Sequence, residues 1–137
     1  MKINIRFAKP YDIDQILSID QHISPEICLK SIKDQRILIA KTKTQIIGVL
    51  RFGYFWDAIP MINLIYILES FRGRGIGQKL HDEFEYSMRQ MGYQKLMTTT
   101  QIDENGQLFF KKVGYEIAGS FKYPNQADEL IMFKELV

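Results

Sequence analysis

A mixed α/β fold, with helices flanking one central sheet, is what this 137-residue chain predicts. Three observations carry the prediction. Short runs rich in β-branched and aromatic residues recur along the chain. Between them lie segments whose apolar residues return at every third or fourth position, the period of a helix with one buried face. One glycine-rich junction, Arg72-Gly73-Arg74-Gly75-Ile76-Gly77, joins a run of the first kind, Ile62 to Leu68, to one of the second, carrying Ile76, Leu80, Phe84, Met88 and Met91. Strand, tight turn and helix in that order make half of a βαβ unit, so two strands should pair in parallel across a right-handed crossover.

The elements follow in order. Ile3, Ile5 and Phe7 alternate as a half-buried strand does, and Pro10 ends it. Asp12 is a suitable N-cap for a helix with Ile13, Ile16 and Leu17 on one face, fading near Asp20. Ser24-Pro25-Glu26 starts a second helix with a cap, a proline at the first helical position and an acid in the first turn, and it runs to about Asp34. Between the two lies a short connection, Asp20 to Ile23, whose His22 reads as a surface residue. Residues 36–41 and 45–54 form a hairpin through Thr42-Lys43-Thr44, with Gly48 and Gly53 marking bulges or close contacts. Phe55 to Pro60 is a loop rich in aromatic groups. After the long helix Gly92 suits the position past its end, and residues 94–101 make the next strand. A further helix begins near Asp103, with Asp103 and Glu104 in its first turn, and stops at Gly114. Strands over 115–121 and 129–134, divided by a turn through Pro124 and Asn125, finish the chain. The order is β-α-α-β-β-β-α-β-α-β-β in one domain spanning residues 1–137, with no repeat or linker.

Composition removes several classes. With 46% apolar and 25% charged residues the chain has enough apolar surface for a core, so it is not disordered. A net charge of +2, spread without a basic run, gives no footprint for nucleic acid. No apolar stretch is long enough to span a bilayer and the first residues lack a signal-peptide pattern, so the cytoplasm is the expected location. Cys28 is the sole cysteine, which excludes an internal disulfide and a cysteine-rich metal site; among Ile27, Leu29 and Ile32 it reads as a buried helix residue. No metal site is expected.

The glycine junction carries the chemistry. Alternate glycines let a ligand approach the backbone, and the following helix adds unpaired N–H groups and a positive dipole end, which together suit an anion. A Walker-type loop needs Lys and Ser/Thr directly after its last glycine, whereas Gly77 is followed by Gln78; the dinucleotide pattern needs glycine where Gln78 stands. What remains is Arg-x-x-Gly-x-Gly, spelled by Arg72, Gly75 and Gly77. This resembles the acetyl-CoA pyrophosphate motif of the GCN5-related N-acetyltransferase (GNAT) superfamily. A second stretch, Asp103 to Tyr115, is similar to that family's Asn-x-x-Ala-x-x-x-Tyr-x-x-x-Gly-Phe element, with Asp103, Gly106, Phe110 and Gly114 in register and Tyr115 as the closing aromatic. The element order matches from end to end.

The resemblance implies a single N-acetyltransferase domain that uses acetyl-CoA as cosubstrate and moves its acetyl group to a primary amine on a small molecule, peptide or protein. It implies a cofactor site at Ile67 and Leu68 (main-chain contacts to the pantetheine arm), at Arg72, Gly73, Arg74, Gly75, Ile76 and Gly77 (pyrophosphate), and at Phe110. Arg72 either complements the phosphates or holds the turn by hydrogen bonds to backbone. Lys111 and Lys112 lie within reach of an adenosine phosphate but read more simply as a solvated helix face. The acceptor pocket would come from the first inter-helix connection, the Tyr54 to Pro60 loop and the final hairpin turn near Tyr123, with Tyr54, Phe55, Trp56 and Tyr66 as aromatic lining.

Catalysis is where this chain departs from the family. Several members carry a glutamate base on the strand before the loop, and Asn63 stands at that position. Asp57 and Glu69 are the nearest carboxylates in sequence, and Asp57 is the candidate base. Phe110 stands where the family has a tyrosine acid, leaving Tyr115, Tyr66 or water as proton donor. A CoA-binding module with little or no catalysis is therefore the alternative.

Overall fold

The structure, a computed structural model, describes residues 2–103 and 105–136. Seven strands and four α-helices appear in the expected order: β1 Asn4–Phe7, α1 Ile13–Ile19, α2 Pro25–Lys33, β2 Ile37–Lys41, β3 Ile46–Phe55, β4 Ile59–Ile67, α3 Ile76–Gln90, β5 Lys95–Gln101, α4 Gly106–Lys112, β6 Glu116–Phe121 and β7 Glu129–Glu135. The strands form one sheet in the order β1-β2-β3-β4-β5-β7-β6. β4 and β5 pair in parallel, as the crossover through α3 requires, while β1 with β2, β2 with β3, β5 with β7 and β6 with β7 pair antiparallel. By contact density the chain forms two compact units, the residues to Phe52 with Leu64–Tyr86, and Gly53–Asn63 with the residues from Ser87.

In the first unit β2 is buried on both faces, which is why Ile37-Leu38-Ile39-Ala40 is an unbroken apolar run rather than an alternation. Ile37 and Ile39 pack with Ile16 of α1 and with Cys28 and Ile32 of α2. Burial raises the thiol of Cys28 above its ordinary range, with the charge of Asp20 adding to the effect. α3 brings Leu80 and Phe84 into the core, and the Phe84 ring lies 4.8 Å from Phe52. Gly48 of β3 permits this approach: a Cβ there would meet Ile67 Cδ1 at 2.7 Å and Leu80 Cδ1 at 3.2 Å. Gly48 is thus a close contact, and the bulge of this hairpin falls at Ala40/Lys41.

α2 starts as its sequence directs, with Ser24 Oγ accepting from the Ile27 N–H at 3.2 Å. α1 does not. Asp12 makes no side-chain cap for it; a 3₁₀ turn, Pro10–Asp12, comes first, and Asp12 accepts from the Lys9 N–H at 2.7 Å and from the Arg6 guanidinium at 2.8 and 3.2 Å. A nearby guanidinium is the stronger competitor for a carboxylate.

Burial alone would raise the Asp12 carboxyl, but the bonds from Arg6 and Lys9 outweigh it and hold the group below its ordinary value. A depressed carboxyl contributes stability above its unfolded value, near about 3.9, and loses it as pH falls through the folded value. Asp12→Asn is expected to cost about 1–2 kcal/mol at pH 7 and progressively less towards pH 3, read from urea midpoints across that range.

In the second unit β7 lies between β5 and β6, with Leu96, Met97, Leu130 and Met132 buried, and β6 is an edge strand exposed along its length. Two expectations change here. The aromatic loop over 55–60 shrinks to a turn, Trp56–Ala58, closed by Ala58 N–H to Phe55 C=O at 3.0 Å, so Pro60 falls inside β4. The apolar run Ile59-Pro60-Met61-Ile62 continues the strand instead of bounding it. α4 begins at Gly106 rather than near Asp103, which sits in a turn, and Glu104 lies outside the described residues. Both glycine stops hold. Gly92 (φ +89°) and Gly114 (φ +103°) take left-handed conformations. After each, paired bonds close the helix: Gly92 N–H to Arg89 C=O with Tyr93 N–H to Met88 C=O, and Gly114 N–H to Lys111 C=O with Tyr115 N–H to Phe110 C=O.

Candidate active site

β4 leads through a 3₁₀ turn, Glu69–Phe71, into the glycine junction and then α3. Gly73 and Gly75 take φ of +78° and +77°, and a Cβ added at either would meet nothing within 4 Å. These two glycines therefore serve conformation and leave the surface above the turn open. Gly77 is different, already lying in the first turn of α3. The first bond into that helix is Lys79 N–H to Gly75 C=O at 3.1 Å, so the N–H groups of Ile76, Gly77 and Gln78 precede the helical ladder. Ile76 itself is buried and anchors the start of the helix. The result is an exposed, positively polarised backbone surface suited to an anion.

The two arginines fold back on their own turn. Arg72 Nε–H donates to the Ile67 carbonyl at 2.8 Å, and its guanidinium lies 5.0 Å from the centroid of the Tyr66 ring. Arg74 donates to the Ser70 carbonyl at 3.4 Å and lies over Phe71 at 5.4 Å. The Leu68 N–H donates to the Ile47 carbonyl of β3 at 2.9 Å. Backbone groups alternate sides along a strand, so the N–H of Ile67 faces away from β3. Of the two main-chain positions expected to meet a pantetheine arm, Ile67 thus directs its N–H away from β3, whereas the Leu68 N–H is bonded to it.

The remaining candidates belong to the second unit. β4 pairs with β5 at Met61 with Met97 and Ile62 with Thr98, and Thr98 Oγ1 donates to the Ile62 carbonyl at 3.1 Å. Asn63, the next residue of β4, is exposed, and its amide nitrogen comes within 3.2 Å of where a Cβ on Gly53 would be. Phe110 is 4% exposed, with its ring edge-to-face against Phe109 at 5.3 Å and Tyr115 at 5.2 Å; Tyr115 is 2% exposed. Lys111 and Lys112 are exposed in the last turn of α4. Among the described residues no group of three or more His, Cys, Asp or Glu side chains is arranged to hold a metal ion, and no helix is long and apolar enough to cross a membrane.

Asp57 occupies the tip of the β3–β4 hairpin. Trp56 and Asp57 both have φ of +56°, the left-handed conformations of a primed turn, and Trp56 is 79% exposed. This placement separates parts of the expected acceptor pocket. β5 runs parallel to β4, and β7 pairs antiparallel with β5 so that Gln101 meets Glu129 and Lys95 meets Glu135. The turn between β6 and β7 therefore lies past the end of β5, whereas the Trp56–Ala58 turn lies before the start of β4. The two are at opposite ends of the second unit's strands, not on one rim. Asp57 is six residues from Asn63 along an extended hairpin, roughly 20 Å at strand rise.

One feature of the first unit escaped the sequence. Asp20, at the end of α1, is fully buried as an ion pair with Arg51 of β3 at 2.7 Å, and it also accepts from the His22 N–H at 3.1 Å. The inter-helix connection is thereby tied to the sheet. An apolar helix that fades at an acid gives no sign of a cation 31 residues away.

An open glycine turn between a strand and the N-terminus of a long helix defines a class of anion-binding site, and comparison with known proteins says which family carries it. Residues 33–117, more than half of the chain, match the family model described as an acetyltransferase (GNAT) domain, and the chain belongs to that family. Its relatives include an uncharacterised N-acetyltransferase of Chlorobaculum tepidum, 29% identical over 93 residues; the match spans 68% of this chain and 56% of that protein. Solved structures share the fold, among them the following two. Ard1 from Thermoplasma volcanium superposes with a TM-score of 0.88 at 19% identity, covering 98% of both chains. YncA, a putative acetyltransferase from Salmonella typhimurium solved with acetyl-CoA, does so with a TM-score of 0.84 at 16% identity, covering all of this chain and 95% of its own.

Proposed function

We propose that this chain is one acetyltransferase domain that binds acetyl-CoA and transfers its acetyl group to a primary amine. The observation that carries the reading is the Gly73–Gly77 surface, where two left-handed glycines leave open space ahead of the first N–H groups of α3. Family membership and the acetyl-CoA held by the Salmonella relative support it. In this reading the pyrophosphate rests on the N–H groups of the turn. The pantetheine arm meets the outward N–H of Ile67, and such a preorganised donor at a thioester carbonyl contributes about 3 kcal/mol.

The amine nitrogen attacks the carbonyl carbon, a C–N bond forms as the C–S bond breaks, and the sulfur leaves as thiolate. Asn63 orients the amine, and its amide accepts no proton, so the proton passes to water. A thiol with a pKa of about 8.5 leaves tolerably without an acid. Tyr115 is the nearest replacement donor in sequence to Phe110, and its burial against that ring keeps it within the same cluster.

Isothermal titration with CoA, followed by free-thiol release from acetyl-CoA across a panel of amines, tests the proposal. Binding with turnover on at least one amine supports it, and absence of CoA binding overturns it. Binding without turnover on any amine favours the second reading, a CoA-binding module, for which Asn63 and Phe110 are the motivating observations.

Phe110→Tyr probes the missing acid directly. It is expected to raise kcat by about tenfold, below the 10²–10⁴ usual for general acid catalysis because the thiolate already leaves unaided. An unchanged kcat in a variant that still melts cooperatively would mean that the departing sulfur needs no donor at this position.

A further inference from the structure

We infer that Arg72 is a positioning residue, which sets the end of β4 for the thioester instead of neutralising phosphate. The inference rests on the acetyl-CoA reading above for its catalytic consequence, but its structural part stands on the first unit alone. The peptide unit joining Ile67 to Leu68 is held from both sides: its C=O accepts from Arg72 Nε at 2.8 Å, and its N–H donates to the Ile47 carbonyl at 2.9 Å. The guanidinium is steadied by the Tyr66 ring, 5.0 Å away, one residue before this peptide. Arg72 in turn directly precedes Gly73, the first left-handed residue of the turn. One side chain therefore ties the glycine turn to the last residue of β4, and with the Ile47 bond it fixes which way the neighbouring Ile67 N–H points. The Nε–H donor and the ring-facing side of this guanidinium are thus committed to the protein, and the positioning role rests on that one bond.

Side-chain length separates the two roles. Glutamine carries its amide nitrogen the same number of bonds from Cα as arginine carries Nε, so Arg72→Gln keeps a donor at the Ile67 carbonyl while removing the charge. Lysine places a methylene there and loses the planar stack, while keeping the charge. S-acetyl-pantetheine supplies the matching substrate, a thioester with no phosphate at all.

The positioning role predicts that Arg72→Lys loses about tenfold in kcat/KM with both acetyl-CoA and S-acetyl-pantetheine, ~1.4 kcal/mol in each case, whereas Arg72→Gln stays within about threefold of the parent on both. A phosphate role predicts the reverse on acetyl-CoA, with glutamine impaired and lysine tolerated, and no effect of either on the pantetheine thioester; that pattern overturns the inference. Amide hydrogen exchange at Leu68 gives a readout independent of any substrate. Protection about tenfold lower in Arg72→Lys but retained in Arg72→Gln supports the strut, and equal protection in all three proteins overturns it. Should the parent protein fail to bind CoA, the functional reading falls by itself, and the exchange experiment still decides the role of Arg72.

Discussion

Replacing Gly75 by valine is expected to raise the KM for acetyl-CoA by about tenfold or more, ~1.4 kcal/mol, while the same replacement at Gly92 leaves it unchanged. The two glycines are matched in backbone conformation and in the space around them. Their φ values are +77° and +89°, and at neither would an added Cβ meet an atom within 4 Å. The penalty for forcing an L residue into this conformation is roughly 1–2 kcal/mol at each, so the melting temperatures of the two variants should fall together. What differs is the surface beneath. Gly92 closes the C-terminal end of α3, where carbonyls face outward, whereas Gly75 stands immediately before the helix's first N–H groups. A branched side chain there fills the space an anion would use. Equal loss of affinity in both variants would trace the effect to stability and remove the ligand from the argument.

Asp20→Asn is expected to destabilise the protein by about 3–5 kcal/mol, because it leaves Arg51 charged and unpaired in a buried place. The Arg51 side chain is 14% exposed and that of Asp20 0%. Asparagine retains an oxygen for the His22 N–H, so the loss isolates the ion pair from the local turn. Combining Asp20→Asn with Arg51→Met should restore much of the stability, since the stranded charge is then gone; urea midpoints at constant m-value measure both steps. Because the pair ties the inter-helix connection to β3, the single variant should also raise the KM for the amine more than the KM for acetyl-CoA. A double variant no more stable than the single would show that Arg51 is solvated without its partner.

Much of the strand–turn–helix around the candidate site was legible because its signals are local. The alternate glycines announce a turn that a ligand can approach, and the spacing Ile76, Leu80, Phe84, Met88 announces a helix with one buried face, although Met91, read as the next residue of that face, lies past the end of α3 and is exposed. Gly92 and Gly114 predicted helix ends for the same reason. Where local signals competed, the reading slipped. Asp12 offered a cap, but Arg6 won it; Pro60 suggested a loop, but the apolar run around it continued the strand; Asp103 offered an acidic first turn, but α4 waits until Gly106.

The sequence alone determined the element order, the parallel pair across α3, and the glycine turn set ahead of the first N–H groups of α3. Each depends on periodicity or on a backbone conformation that only glycine adopts readily. Tertiary structure alone decided what each side chain meets. It gave Asp20 to Arg51, turned Arg72 onto the Ile67 carbonyl, and set the Trp56–Asp57 tip at the opposite end of the strands from the β6–β7 turn. Those outcomes depend on strand direction and on partners distant in sequence. Spacing within one segment carries no information about either, because a strand or helix buries the same face whichever neighbour covers it.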